Sequence, residues 1–156
     1  MIKILCIGKV KEKFYRDAIL EYLKRLGKYH KIEIIECRDY SDLPISDILT
    51  KEKQELERYI NDRDYIIALD IDGNEISSSS LAEKLDSIYL NYSNITFIIG
   101  GSYGIHDDLK RRSNYRLSFS KMTFPHQLFR VILLEQIYRS FKINNTIIRE
   151  RSAGGF

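Results

Sequence analysis

The sequence has 156 residues, enough for one domain that buries its own core without disulfides or a metal. Apolar residues make up 44% and charged residues 30%, a balance typical of soluble proteins. No apolar run approaches the roughly 20 residues that a membrane-spanning helix needs, which argues against a membrane protein.

Cysteine usage and the N-terminus bear on the compartment. Cys6 and Cys37 both lie in strand-like segments, and two cysteines make no disulfide framework, so we expect reduced, buried thiols. The N-terminal apolar run lacks a small-residue cleavage pattern, which argues against a signal peptide. Together these features predict a cytoplasmic protein.

Charge is unevenly distributed. Residues 1–100 contain 15 Lys and Arg against 18 Asp and Glu, a net charge of −3, whereas residues 101–156 contain 10 against 4, a net charge of +6. The basic C-terminal third could meet a polyanion, and the 11 Tyr and 7 Phe could stack on bases. A solvated basic surface and buried aromatic side chains explain the same counts.

The first half of the chain alternates strand and helix patterns. Residues 2–8 form an apolar run that ends in glycine, which is typical of a buried strand. Residues 13–26 place apolar side chains at helical spacing. Residues 31–37 alternate like a strand, and residues 47–60 are typical of a charged, amphipathic helix.

The middle of the chain continues this alternation. Residues 65–70 predict a buried strand, which a turn at residues 72–74 follows. Ser80 and Glu83 form a capping-box pattern that predicts a helix running to about residue 90. Residues 94–100 predict a further buried strand.

The last part contains a short predicted helix over residues 107–112, a short strand over 115–119 and a final helix over 125–142. Pro125 fits a first helical turn, where its missing N–H costs little. Strands that alternate with helices predict a single α/β domain with a mainly parallel sheet flanked by helices. Residues 143–156 are predicted to form a mobile tail of that domain.

A glycine-rich loop, Gly100-Gly101-Ser102-Tyr103-Gly104, directly follows the predicted strand at residues 94–100. Glycines at the carboxyl end of a strand let a ligand approach the backbone closely, although a plain strand-to-helix turn is the alternative. The sequence has no phosphate-binding loop, no dinucleotide-binding glycine pattern after the first strand, and no Cys/His spacing typical of zinc.

A second motif, LSFSKMTFPHQLFR, occupies residues 117–130. His126 and Arg130 are four residues apart on the predicted last helix and therefore share a face; Glu135 and Arg139 form a second such pair. A histidine at a helix start is also compatible with a capping or surface position, so the motif gains weight from its combination with the glycine loop.

At IGGSYG and LSFSKMTFPHQLFRVILLEQIYRSFKI the sequence resembles the RlmH (YbeA-type) large-subunit ribosomal RNA pseudouridine N3-methyltransferases of the SPOUT class. The N-terminal MIKILCIGKVKEKFYRDAILEYLKRLGKY and the central YIIALDIDG extend this resemblance to about residues 1–142. It implies an α/β fold with a C-terminal trefoil knot, a rare exception among protein topologies. It also implies a homodimer, S-adenosyl-L-methionine as methyl donor and pseudouridine N3 of 23S ribosomal RNA on assembled ribosomes as target, without a metal.

The resemblance places the methyl donor, and the chemistry of methyl transfer suggests which side chains would act on the target base. The methyl donor is expected to lie among three segments: Leu69; Gly100 with Gly101; and Phe119, Ser120, Lys121, Met122, Thr123 and Phe124. His126 is the candidate general base or orienting group. Arg130 and Arg139 are expected to offset negative charge on carbonyl oxygens or to hold phosphate, and Glu135 to orient Arg139.

The tail departs from the family pattern, because no Tyr or His follows Tyr138. Only Arg149 and Arg151 provide cationic side chains in the tail that could contact the substrate. We therefore expect donor binding with slow or absent turnover. One alternative is a ribosome- or RNA-binding homologue that binds the cofactor with weak or no turnover. Another is a nucleotide-binding α/β regulator without an RNA partner, which the basic C-terminal third disfavours.

Overall fold

The computed structural model describes residues 1–153, except for the side chains of residues 149 and 151–153. Five parallel strands form one sheet in the order β2-β1-β4-β3-β5. The strands are β1 (Ile2–Ile7), β2 (Ile32–Cys37), β3 (Tyr65–Glu75), β4 (Ile95–Ile99) and β5 (Tyr115–Ser118). The predicted α/β fold with a parallel sheet is confirmed.

Five helices cover the two faces of the sheet: α1 (Lys13–Leu26), α2 (Ile45–Glu57), α3 (Ser78–Ile88), α4 (Asp107–Arg112) and α5 (His126–Ala153). One core cluster joins the sheet to α1, α3 and α5, and a second joins the opposite face to α2 and α4. Strand residues such as Phe97 on one face and Ile98 on the other are fully buried because both faces are covered. The result is a three-layer arrangement.

The predicted turn at residues 72–74 is instead part of β3. The strand pairs with β5 through Leu69, shifts register, and pairs again through Asn74. A Cβ at Gly73 would lie 2.8 Å from the carbonyl carbon and oxygen of Arg116, so only glycine allows the two backbones to come this close. Gly73, which predicted a turn, therefore allows the shift of register in the pairing of β3 with β5.

Two helix boundaries also differ from the prediction. The Ser77 side chain, rather than that of Ser80, caps α3, and it accepts a hydrogen bond of 3.1 Å from the Ser80 amide. Either serine suits an N-cap, and Ile76, which directly precedes Ser77, packs against the core. Helix α5 continues past residue 142 to Ala153, so the predicted tail is helical up to that point, and residues 154–156 lie outside the described part.

Both cysteines are buried and unpaired, as predicted. Burial raises the pKa of Cys6 to about 12 and that of Cys37 to about 11, so both thiols are protonated at neutral pH. Within residues 1–153, we find no helix with the length and hydropathy required to cross a membrane.

Candidate active-site cleft

An open cleft of about 480 Å³ lies where β4, β3 and β5 end. These three strands are neighbours in the sheet and run in the same direction, so the loops that follow them meet at one edge. This edge is where ligands bind in open α/β sheets. Residues 69–72, 99–105, 117–120 and 122–126 line the cleft, together with Lys110 and Phe129.

The structure brings the three predicted segments together in this cleft. Of the residues that the sequence pointed to, Leu69, Gly100, Gly101, Phe119, Ser120, Met122, Thr123 and Phe124 line it. Lys121 does not line the cleft and is exposed to solvent. At their nearest positions, the first two segments are 31 residues apart in the chain (69 and 100) and the last two are 18 apart (101 and 119). Only the parallel sheet makes them neighbours.

The glycine loop turns tightly back on itself. A Cβ at Gly100 would lie 2.4 Å from the carbonyl oxygen of Gly104, and the Gly104 amide donates to the Gly101 carbonyl at 3.1 Å. The room that the sequence suggested for a ligand at Gly100 is thus occupied by the chain itself. The missing side chain shapes the wall of the cleft by allowing the close turn.

The opposite wall, residues 119–124, presents peptide groups. No hydrogen bond between main-chain groups involves this segment within residues 1–153. The Ser120 hydroxyl accepts from the Met122 amide at 3.0 Å, and the Ser118 hydroxyl donates to the Ser120 carbonyl at 3.1 Å. The other amides and carbonyls of this segment have no hydrogen-bond partner among residues 1–153.

His126 begins α5 and lines the cleft, half-buried. Phe129, one turn along the helix, lies 5.0 Å from Phe119 and 6.3 Å from Phe124 between ring centroids. This aromatic contact fixes the start of the helix against the wall of the cleft. An imidazole at this position can accept or donate a proton inside the cleft.

Arg130 has a different position from the one that the sequence suggested. Its side chain is 1% exposed and does not line the cleft. One guanidinium nitrogen donates to Glu36 Oε2 at 2.7 Å, and another donates to the carbonyls of Ile7 and Gly8, each at 2.9 Å. These bonds join the first turns of α5 to the end of β1, which gives Arg130 a positioning role in this chain.

Glu135 and Arg139 form the predicted pair, but they lie away from the cleft. They face a separate shallow groove along α5 with Tyr138 and Lys142. Nine residues of helix, roughly 13 Å, separate Glu135 from His126. Within one chain, the structure does not bring this pair to the cleft, and the side chains of Arg149 and Arg151 lie outside the described ones.

Sequence reasoning missed Asp70, which ends the buried part of β3 and lines the cleft. Its side chain is 3% exposed, and its carboxylate lies 3.6 Å from Lys110 Nζ and 3.7 Å from a guanidinium nitrogen of Arg116. Its position at the carboxyl end of an apolar run is a signal that could have identified it. The two cations balance a charge that burial would otherwise make costly.

Glu52 of α2 supports the glycine loop from behind the cleft. A Cβ at Gly101 would lie 3.3 Å from both of its carboxylate oxygens, and the side chain is almost fully buried. Burial, followed by the negative charge of Asp39, raises the pKa of Glu52 to about 7. The wall of the cleft therefore rests on a carboxyl group that titrates near neutral pH.

Comparisons with known proteins show the family to which the chain belongs. Residues 1–147 match the family model described as "Predicted SPOUT methyltransferase". A protein of Methanococcus maripaludis named "Putative ribosomal RNA large subunit methyltransferase H" is 49% identical over 151 aligned residues, which cover 92% of this chain and 95% of that protein. The solved structure of "a probable methylase family protein from Haemophilus influenzae Rd KW20" has a TM-score of 0.56 and 11% identity, and covers 93% of this chain and 68% of that one. That likeness shows a shared fold alone.

Arg130→Met should destabilise the fold, because the substitution leaves the Ile7 and Gly8 carbonyls and Glu36 without their buried donor. We expect the free energy of unfolding in urea to fall by about 3 kcal/mol. The matched control is Arg139→Met, which removes an exposed partner of Glu135 and should cost less than about 1 kcal/mol. Equal stability of the two variants would contradict the positioning role.

Glu52 should make stability fall as the pH rises towards 7. The folded-state pKa of about 7 exceeds the ordinary value of 4.5, so the folded chain holds an extra proton between these values. Its unfolding free energy should then decrease with rising pH by up to about 1.4 kcal/mol per unit within that window. Urea titrations at several pH values should show this slope in the wild type but not in Glu52→Gln; parallel slopes would refute the assignment.

Proposed function

The chain belongs to the SPOUT methyltransferase family, and from this premise we propose that it methylates large-subunit ribosomal RNA with S-adenosyl-L-methionine as the donor. The observation that carries the proposal is the meeting of all three expected donor-binding segments in one cleft. The alternative of a nucleotide-binding regulator without an RNA partner has no comparable support, because the sequence lacks the phosphate-binding loop that such proteins use.

The cleft fits such a donor. Its volume of about 480 Å³ lies within the roughly 300–1,000 Å³ typical of small-molecule sites. Leu69 and Phe124 would hold the adenine ring between apolar walls, and free main-chain groups of residues 119–124 would pair with its edge. Asp70 also lines the cleft, where Lys110 and Arg116 balance its charge. When bound, the donor supplies an electrophilic methyl group for in-line transfer to a nitrogen.

We propose N3 of a pseudouridine as the target atom, following the family resemblance. That nitrogen carries a proton which must leave, and a base within reach lowers the barrier. His126 supports this role because it is the one histidine among residues 1–153 that lines the cleft. The Arg130 guanidinium donates to Glu36 and to the Ile7 carbonyl, so Arg130 would act only by holding the start of α5 in place.

We also propose that the enzyme is a homodimer and is located in the cytoplasm. A homodimer would allow Glu135 and Arg139 of one subunit to approach the cleft of the other, where Arg139 could offset charge on the target base. Their groove along α5 is open, which suits such a contact. A ribosomal substrate implies a cytoplasmic location. The trefoil knot also stays a prediction from the resemblance.

The proposal is tested by two measurements on the full chain. Calorimetry with S-adenosyl-L-methionine should show binding, and labelled methyl groups should appear in 23S ribosomal RNA of unmodified large subunits or assembled ribosomes. Absence of binding would refute the proposal. Binding without transfer would instead support the alternative of an RNA-binding homologue with little or no turnover, which the tail of this chain makes worth testing.

His126→Ala should lower the single-turnover rate of methyl transfer by a factor on the order of 10² or more, because the substitution removes the proposed general base. Donor affinity should stay near that of the wild type, since main-chain groups provide most of that contact. His106→Ala is the control, because His106 caps α4 and does not line the cleft. Unchanged transfer by His126→Ala would exclude the general-base role.

A further inference from the structure

The segment that connects β1 to the first residue of α1 carries three lysines at one side of the cleft. We call residues 8–13, GKVKEK, the lysine loop. Lys9, Lys11 and Lys13 are all exposed. The loop follows the carboxyl end of β1, so it lies at the same edge of the sheet as the cleft, whose β4 wall is the direct neighbour of β1.

Three hydrogen bonds attach the backbone of the lysine loop to its surroundings. Arg130 donates to the Gly8 carbonyl at 2.9 Å, the Val10 amide donates to Glu36 Oε2 at 2.8 Å, and the Lys11 amide donates to Gln127 Oε1 at 3.0 Å. Gln127 directly follows His126, which lines the cleft. The loop is thus held beside the proposed general base by bonds that use only its main chain.

The lysine side chains are not used by this anchoring. Among the described residues, Lys9 and Lys11 form no ion pair, and Lys13 pairs only with Asp17, one helical turn away, while both side chains stay exposed. Single unpaired lysines are ordinary on a protein surface. Here, however, an ordered backbone presents them together, which lowers the entropic cost of binding a partner.

We propose that the lysine loop binds phosphates of the RNA strand next to the nucleotide that enters the cleft. This inference rests on the proposed function and specifies where its substrate docks. Lysines act as point charges for phosphate, and phosphate contacts fix the register of a nucleic acid on a protein. A loop anchored to Gln127 would transmit that register directly to His126.

An exposed aromatic ring next to the loop favours RNA over an acidic protein surface. Phe14 directly follows Lys13, is 62% exposed, and contacts Tyr15 with 4.4 Å between ring centroids. Cationic side chains that follow a backbone, beside an aromatic ring on which an unpaired base can stack, are the combination used for single-stranded nucleic acid. An acidic peptide would need the lysines but would leave Phe14 without a partner.

The test compares two double variants that remove the same charge. Lys9→Gln with Lys11→Gln alters the lysine loop. Lys28→Gln with Lys31→Gln alters two exposed lysines at the opposite edge of the sheet, where β2 begins. Binding to free 23S ribosomal RNA and to unmodified large subunits is measured over a series of salt concentrations, together with binding of S-adenosyl-L-methionine and sedimentation of each protein.

The loop variant should bind RNA more weakly than the wild type, and the slope of log K against log salt should shrink by about 1 for each lysine removed. The control variant should keep the wild-type slope, and all three proteins should bind the donor equally. A wild-type slope in the loop variant would overturn the inference while leaving the proposed function intact. A shift of the loop variant to a smaller assembly with an unchanged slope would assign the loop to a second copy of the chain instead. Donor binding without any RNA binding by the wild type would overturn both proposals.

Discussion

The buried guanidinium of Arg130 is the interaction on which the arrangement of the site depends. It joins α5 to the carbonyls at the end of β1 and to Glu36 of β2. A charge that is 1% exposed is stable only because several acceptors surround it, and the loss of any of them is costly. These acceptors lie on two strands and at the residue that follows the first of them, so the first turn of α5 has one position relative to the sheet.

The position of the first turn of α5 links the cleft to the lysine loop, both of which lie at the same edge of the sheet. On one side, His126 and Phe129 close the cleft formed by the glycine loop and residues 119–124. On the other, Gln127 holds the lysine loop. The proposed donor site and the proposed RNA contact therefore share one helix start, and a change in its anchoring should affect both. Glu52 supports the glycine loop from the opposite face of the sheet, which makes the cleft wall sensitive to pH.

Much of the fold could be predicted because its signals are local. The helix at residues 13–26 and the short helix at 107–112 have the predicted bounds, since their apolar spacing and flanking residues agree. Failures occurred where tertiary contacts decided between two local possibilities. Gly73 is compatible with a turn, but in the structure it allows β3 to shift its register against Arg116 of β5. Ser77 and Ser80 both suit the N-cap of α3, and the structure uses Ser77. For the site, the three donor-binding segments could be named from the family resemblance, and the place of Asp70 at the end of an apolar run was an available signal. Glu52 had no such signal, because only its burial behind the glycine loop distinguishes it from other helix carboxylates.

The sequence by itself determined the alternation of strands and helices, the segments of the cleft and the family, since periodicity and motifs are properties of consecutive residues. The tertiary structure decided which side chains those segments present. Arg130 and His126 share a helix face in the sequence, yet one is buried under β1 and the other lines the cleft. The carbonyls of Ile7 and Gly8 that hold Arg130 lie more than a hundred residues away in the chain, and no local pattern can report an acceptor at that separation.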